Sequence, residues 1–186
     1  DVLYLQYFSA RLKSLGRIGL DNGWTISPTG GIDKISSFVS LFYGKKLNIV
    51  VFSDYHDGDK KKIESLKQSR LLKDGHVLSA EQFSEKPVAD IEDMIGNELY
   101  IKLINACYGT YLKSADVSEE LILNFIKKKA YIEKELEKFN HFAPAEHLIQ
   151  IPEFFEGEKE YDNALNRFEE FFKTINNLLS RERIEP

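Results

Sequence analysis

The chain has 186 residues, 42% hydrophobic and 30% charged, with a formal net charge of −5. That much apolar material supports one cored domain, or one with a small appendage, and excludes a chain too polar to fold. The negative balance excludes a uniformly basic nucleic-acid surface, the single cysteine (Cys107) excludes an intrachain disulfide framework and fits a reducing cytoplasm, and no apolar run approaches the ~18 residues of a membrane span.

No signal peptide is legible, and the opening Asp1-Val2 reads as the interior of a longer polypeptide. Leu5, Phe8 and Leu12 recur at helical spacing, so Val2 to Ser14 is an amphipathic helix with Asp1 near its start, where the helix dipole favours an acid whatever the function. Gly16, Gly19 and Gly23 punctuate a loop. Trp24-Thr25-Ile26-Ser27 alternates and predicts a short strand ended by Pro28-Thr29-Gly30-Gly31. Ile32, Ile35, Val39 and Phe42 then place a second helix. The glycine pair before it suits a tight strand-to-helix turn better than a phosphate cradle.

Leu47 to Asp57 (LNIVVFSDYHD) organises the rest. Ile49 to Phe52 is an apolar, β-branched run without helical spacing, which predicts an interior strand over Leu47 to Ser53 buried on both faces. In open α/β sheets, sites form beyond the carboxyl ends of such strands. This one ends in Ser53, Asp54, His56 and Asp57, a concentration of ligands that suits a hard divalent cation. Ile63, Leu66 and Leu71 mark a third helix over Lys60 to Leu72, whose Lys60-Lys61-Lys62 run is a solvated face or a contact for a phosphate backbone. His76 to Ser79 predicts another short strand, and a polar loop through Pro87 leads to Ala89-Asp90-Ile91-Glu92-Asp93. The order is that of an α/β fold with parallel pairing.

From about Asn97 onward no strand is predicted. Leu99 to Tyr108 is one helix, with Cys107 as a small packing residue on it. Ser118 caps a long one with Ile122, Phe125, Ile132, Leu136 and Phe139 on its apolar face. Pro144 and Pro152 interrupt the stretch that follows. Tyr161, Leu165, Phe168, Phe172, Ile175 and Leu179 form the stripe of a last helix that packs against its neighbours.

Three acidic groups thus fall where successive loops of one α/β sheet converge: Asp1, Asp54 with Asp57, and Asp90-Glu92-Asp93. Converging carboxylates repel one another unless cations lie between them. Two metal ions about 3.5–4 Å apart, held by carboxylates, are a general device for cleaving phosphodiesters.

The segments DVLYLQYFSARL, PTGGIDK, SDY and ADIEDMI, in that order, resemble the Toprim domain of OLD-family (overcoming lysogenisation defect) nucleases, and FNHFAPAEHL resembles that family's helical C-terminal part. The resemblance spans about Asp1 to Gln150. It implies a Toprim-like parallel sheet over residues 1–96, followed by a helical domain over 97–186. It also implies that the sheet's first strand and the family's catalytic Glu precede Asp1, with Asp1 closing the E-G-x-x-D motif. By that resemblance Asp1, Asp54, Asp90 and Glu92 hold two Mg²⁺ or Mn²⁺ ions, with Asp54 central to catalysis. A lysine of the helical part stabilises charge on the phosphate; Lys127, Lys128 and Lys129 are the candidates and Lys129 is favoured. The family's D-x-D reads Asp54-Tyr55-His56 here, so His56 and Asp57 are further possible ligands.

The function expected on this basis is divalent-metal-dependent DNA cleavage in antiphage defence, by a cytoplasmic homo-oligomer. ATP would enter only through an ABC-type ATPase domain upstream in the parent chain, since no G-x-x-x-x-G-K-[ST] motif occurs here. Two alternatives stand beside it. One is a degenerate Toprim domain kept for assembly or partner binding. The other is a haloacid-dehalogenase-like phosphotransferase, whose D-x-D nucleophile pair is spoiled by His56.

Overall fold

The computed structural model describes the chain except residues 43–46, 55–57, 70–71, 74, 118–120, 131–135, 137 and 183–186, and without the side chains of 180–182. The fold is mixed α/β, mostly helical, with a small parallel sheet.

Helix α1 (Val2–Ser14) has the bounds that its apolar spacing predicts, and it buries Tyr4, Leu5, Tyr7, Phe8 and Leu12. The chain then returns along helix α8 (Tyr161–Glu182): Asn176 donates to the Gly19 carbonyl and accepts from the Asp21 amide. The strand expected at Trp24–Ser27 is absent. Trp24 and Ile26 do lean on the core, but their backbone has no ladder partner among the described residues. Apolar alternation marks any extended segment lying on a core, and a strand also needs a neighbour. Gly31, at φ 115°, precedes α2 (Ile32–Ser40) and makes the tight turn that the glycine pair suggests.

Strand β1 is Val51–Ser53, shorter than the expected Leu47–Ser53, and Leu47 is 56% exposed. It pairs in parallel with β2 (Val77–Ser79), Val51 opposite Val77 and Ser53 opposite Ser79, through the crossover helix α3 (Lys60–Gln68). Among the described residues the sheet has these two strands, so β1 is not flanked on both sides as an interior strand would be. The apolar run nonetheless reflects burial on both faces. Ile49 and Val51 join a small cluster with Ile35, Val39, Ile63, Leu66 and Val77, while Val50 and Phe52 face the large core. Phe52 meets Phe171 of α8 at 4.6 Å between ring centroids. Helices therefore cover both sides of a two-stranded sheet, which is why the run lacks polar alternation.

After β2 no further strand element occurs among the described residues. A 3₁₀ turn (Ala80–Phe83) leads to α4 (Ile91–Ile95), then α5 (Asn97–Tyr108), α6 (Ile122–Ala130), α7 (Phe142–Gln150) and α8. Pro144 does not interrupt α7. It is the third residue of that helix, where the backbone N–H has no intrahelical partner to lose. Ser118, the expected cap of α6, and Ile132 on its face lie outside the described residues. Cys107 packs half-buried against the Ala143 carbonyl, and burial pushes its thiol up to about 11. No helix, among the described residues, is long and apolar enough to cross a membrane.

The large core joins α1, β2 and α4 to residues of α5 through α8, so the boundary expected near 96–97 runs through one continuous cluster. Gly96 is the hinge between α4 and α5, at φ 96°. A Cβ there would lie 2.9 Å from an Arg167 guanidinium nitrogen. Arg167 spends that guanidinium on α4, with Nε donating to Met94 O at 2.7 Å and NH2 to Ile95 O at 3.1 Å. Gly96→Ala should therefore cost about 1–3 kcal/mol through backbone strain and loss of these bonds. A urea midpoint unchanged from wild type would show that neither matters.

Candidate metal and phosphodiester site

At the carboxyl end of β1 the chain turns into Asp54, and Asp54 Oδ1 accepts a hydrogen bond from the Ile91 amide at 3.2 Å. That bond ties the β1 loop to the first turn of α4. A five-residue helix is not stable alone, and α4 is pinned at both ends. Arg167 holds its C-terminal carbonyls. At the other end Asp90 and Asp93 form a reciprocal capping box: Asp90 Oδ1 accepts from the Asp93 amide at 3.2 Å, and Asp93 Oδ2 from the Asp90 amide at 3.1 Å.

Asp93 also anchors the next layer. Its Oδ1 accepts from the Ile122 amide at the start of α6 at 3.3 Å and pairs with the Lys86 ammonium, which itself reaches Asn97 Oδ1 at 3.2 Å. Glu92, 2% exposed, faces His141 at the start of α7, with Oε1 3.6 Å from Nδ1. Asp90 is fully buried, and its Oδ2 has no hydrogen-bond partner among the described residues.

The electrostatics follow from this crowding. Burial, then the neighbouring Glu92 charge, raises the Asp54 carboxyl to about 6; the Ile91 amide pulls the other way, and Asp93 adds to the rise. Burial and the charges of Glu92 and Asp93 push Asp90 far above the carboxylate range. Tyr4 of α1 and Tyr100 of α5 have phenols raised by burial, and each also feels Glu92 and Asp90. Carboxylates from the β1 loop and α4 therefore share one low-dielectric neighbourhood, where unpaired charge is costly.

Of the residues singled out from sequence, Asp54, Asp90 and Glu92 are brought together. Asp1 keeps its side chain exposed at the start of α1, away from the buried acids. His56 and Asp57 lie outside the described residues. Lys127 and Lys128 are exposed on α6, and the Lys129 ammonium sits over the Phe125 ring, 5.5 Å from its centroid. In the Lys60–Lys62 run, Lys62 pairs with Asp33 at 2.8 Å and with Asp59 at 3.4 Å.

Lys86 and His141 are the members of this neighbourhood that local pattern does not single out, whereas Asp93 counts with the acidic groups but not among the expected metal ligands. Asp93 carried a signal as the third residue after a capping Asp. Lys86 and His141 sit in irregular segments where no periodicity points at a partner.

The donors suit a hard cation, being carboxylate oxygens that include a buried Asp90 Oδ2 with no partner among the described residues. Among the described residues, however, no three His, Cys, Asp or Glu side chains are grouped so that they could hold a metal ion as they stand. The chemistry of the set fits Mg²⁺ or Mn²⁺, while its described arrangement is that of capping and ion-pairing groups. No family model matches the chain, and neither a curated protein nor a solved structure does.

Proposed function

We propose that this chain is the carboxylate-bearing part of a divalent-metal-dependent DNA endonuclease of the kind its sequence resembles. One observation carries the reading: Asp54, from the carboxyl end of β1, and Asp90 with Glu92, from α4, meet in one buried neighbourhood. Asp54, Asp90 and Glu92 would hold Mg²⁺ or Mn²⁺. A cation bound there supplies Lewis-acid stabilisation of the charge that develops on a phosphate under attack. The protein's own contribution is a rigid, partly dry carboxylate cradle, held by the capping box, the Arg167 bonds and the Lys86–Asp93 pair.

Lys129 is not assigned a part, because its ammonium lies over the Phe125 ring. The resemblance extends the proposal to antiphage defence, to an oligomer, and to an ABC-type ATPase domain elsewhere in the parent polypeptide as the entry point for ATP.

A second reading is a domain kept for assembly. The capping box and the Lys86–Asp93 pair favour it, since they give two of the acids structural work. Nicking of supercoiled plasmid separates the two, measured with this chain and with any longer polypeptide that contains it. The nuclease reading expects nicking by the longer polypeptide that rises with Mg²⁺ or Mn²⁺ and stops with EDTA, and little or none by this chain alone, since the resemblance puts the catalytic Glu before Asp1. The absence of nicking under either ion, in both proteins, leaves the assembly reading.

A further inference from the structure

Among the described residues, Lys86 and His141 bring side-chain nitrogens against the carboxylate cluster, and they differ in what they offer a substrate. Lys86 is only 19% exposed at its side chain and is engaged by Asp93 and by Asn97. His141 is 48% exposed at its side chain while its neighbour Glu92 is 3% exposed, so the imidazole stands between the buried acid and the solvent. Its position is fixed from two directions. Phe139 packs on the ring at 5.4 Å between centroids. Asn140 Oδ1 accepts from the Phe142 and Ala143 amides at 2.9 Å each, which anchors the turn into α7.

Nδ1 is the ring nitrogen that faces Glu92 Oε1, at 3.6 Å. A carboxylate beside one imidazole nitrogen favours the N–H there and leaves the lone pair on the other, which directs Nε2 away from Glu92 as an acceptor. The distance exceeds that of a formed hydrogen bond, as is common for catalytic groups before substrate binds. Independently of the imidazole, the fully buried Asp90 Oδ2 has no hydrogen-bond partner among the described residues, so the cluster holds an oxygen with capacity for a further contact.

We infer that His141 orients the water that attacks the phosphodiester at this cluster, a role that rests on the nuclease reading. Water adds its oxygen to phosphorus and yields a proton to solvent. The phosphorus–oxygen bond to the departing sugar oxygen breaks, and that oxygen keeps the electron pair and takes a proton from solvent. His141 accepts a hydrogen bond from the water at Nε2 and Glu92 fixes the ring, so the imidazole is neither consumed nor changed in charge.

The test is plasmid-nicking kinetics with His141→Ala and His141→Gln, paired with imidazole NMR during a Mn²⁺ titration. His141→Ala should lower kcat about 100-fold with KM within about threefold of wild type, because a half-exposed ring contributes little to the fold or to DNA binding. His141→Gln, which keeps an acceptor, should recover about tenfold of that loss. The His141 ring signals should broaden with Mn²⁺ in the wild type and stay sharp in Asp54→Ala. A nicking wild type with undiminished His141→Ala overturns the inference and leaves the nuclease reading standing. A ring that stays sharp, or that broadens equally in Asp54→Ala, also overturns it. A wild type that never nicks sinks both.

Discussion

Asp54→Asn should lose metal-dependent nicking by about a thousandfold while making the folded chain more stable at neutral pH. The two effects have one origin. Asn keeps an oxygen for the Ile91 amide and nearly the same volume, so the tie between the β1 loop and α4 survives. What disappears is the charge. A carboxylate ligand supports several kcal/mol of transition-state charge stabilisation by a metal ion, and about 1.4 kcal/mol is a factor of ten.

The same charge is held at a disadvantage in the fold, since burial and Glu92 raise its pKa from 3.8 to about 6. A raised carboxyl pKa means that the folded state keeps a proton which the unfolded state has already lost. Wild-type stability should therefore fall as pH rises from about 4 to about 6, and then level with respect to this group. The neutral amide has no such slope. Its advantage should be near zero at pH 4 and reach at most about 3 kcal/mol above pH 6.5, at 1.4 kcal/mol per pKa unit. Urea unfolding of both proteins at pH 4, 5, 6 and 7.5, without divalent ions, reads the curve. A variant that is inactive and also less stable at pH 7.5 would show that the carboxylate is a structural acceptor first. A variant that nicks like wild type would remove Asp54 from the site.

Phe168→Ala should cost about 3–5 kcal/mol, the range for emptying a buried phenyl position. Phe168 of α8 and Phe8 of α1 are both fully buried, with rings 3.8 Å apart between centroids and 5° from parallel. Phe172 lies beyond Phe168, with 6.5 Å between centroids, so truncation leaves a void lined by rings already held by their helices. Set against the about 5–15 kcal/mol that keeps a typical domain folded, one truncation takes a large share. The consequence reaches the site, because α8 carries Arg167 and α1 carries Tyr4. Denaturant unfolding with an unchanged slope gives the loss. A value below about 1 kcal/mol would mean that the α1–α8 seam collapses around the void and is not the spine of the fold.

The helices with long, regular stripes were legible from sequence because their spacing is a local property. Leu5, Phe8 and Leu12 fix α1 to its observed ends, and Tyr161 through Ile175 bury the stripe that α8 displays. The apolar run Ile49–Phe52 correctly announces backbone covered on two faces. Its extent and its neighbours were not legible, because they depend on which segments offer a ladder. Trp24–Ser27 offers the same alternation and finds no partner, and Leu47 ends in solvent.

The candidate site divides along the same line. Sequence by itself determined that Asp54 follows a strand, that Asp90, Glu92 and Asp93 follow the last one, and that these acids are too concentrated to be ignored. A carboxylate's identity and its place at an element's end are written in the chain. Only the tertiary structure decided who meets whom. The Ile91 amide reaches Asp54 across 37 positions and the Ile122 amide reaches Asp93 across 29. It likewise set Lys129 over Phe125 and gave Lys86 to Asp93, with His141 beside Glu92. A side chain's partner across such separations is settled by how whole elements pack. That packing follows apolar surface summed over the core, to which a lone lysine or histidine contributes almost nothing.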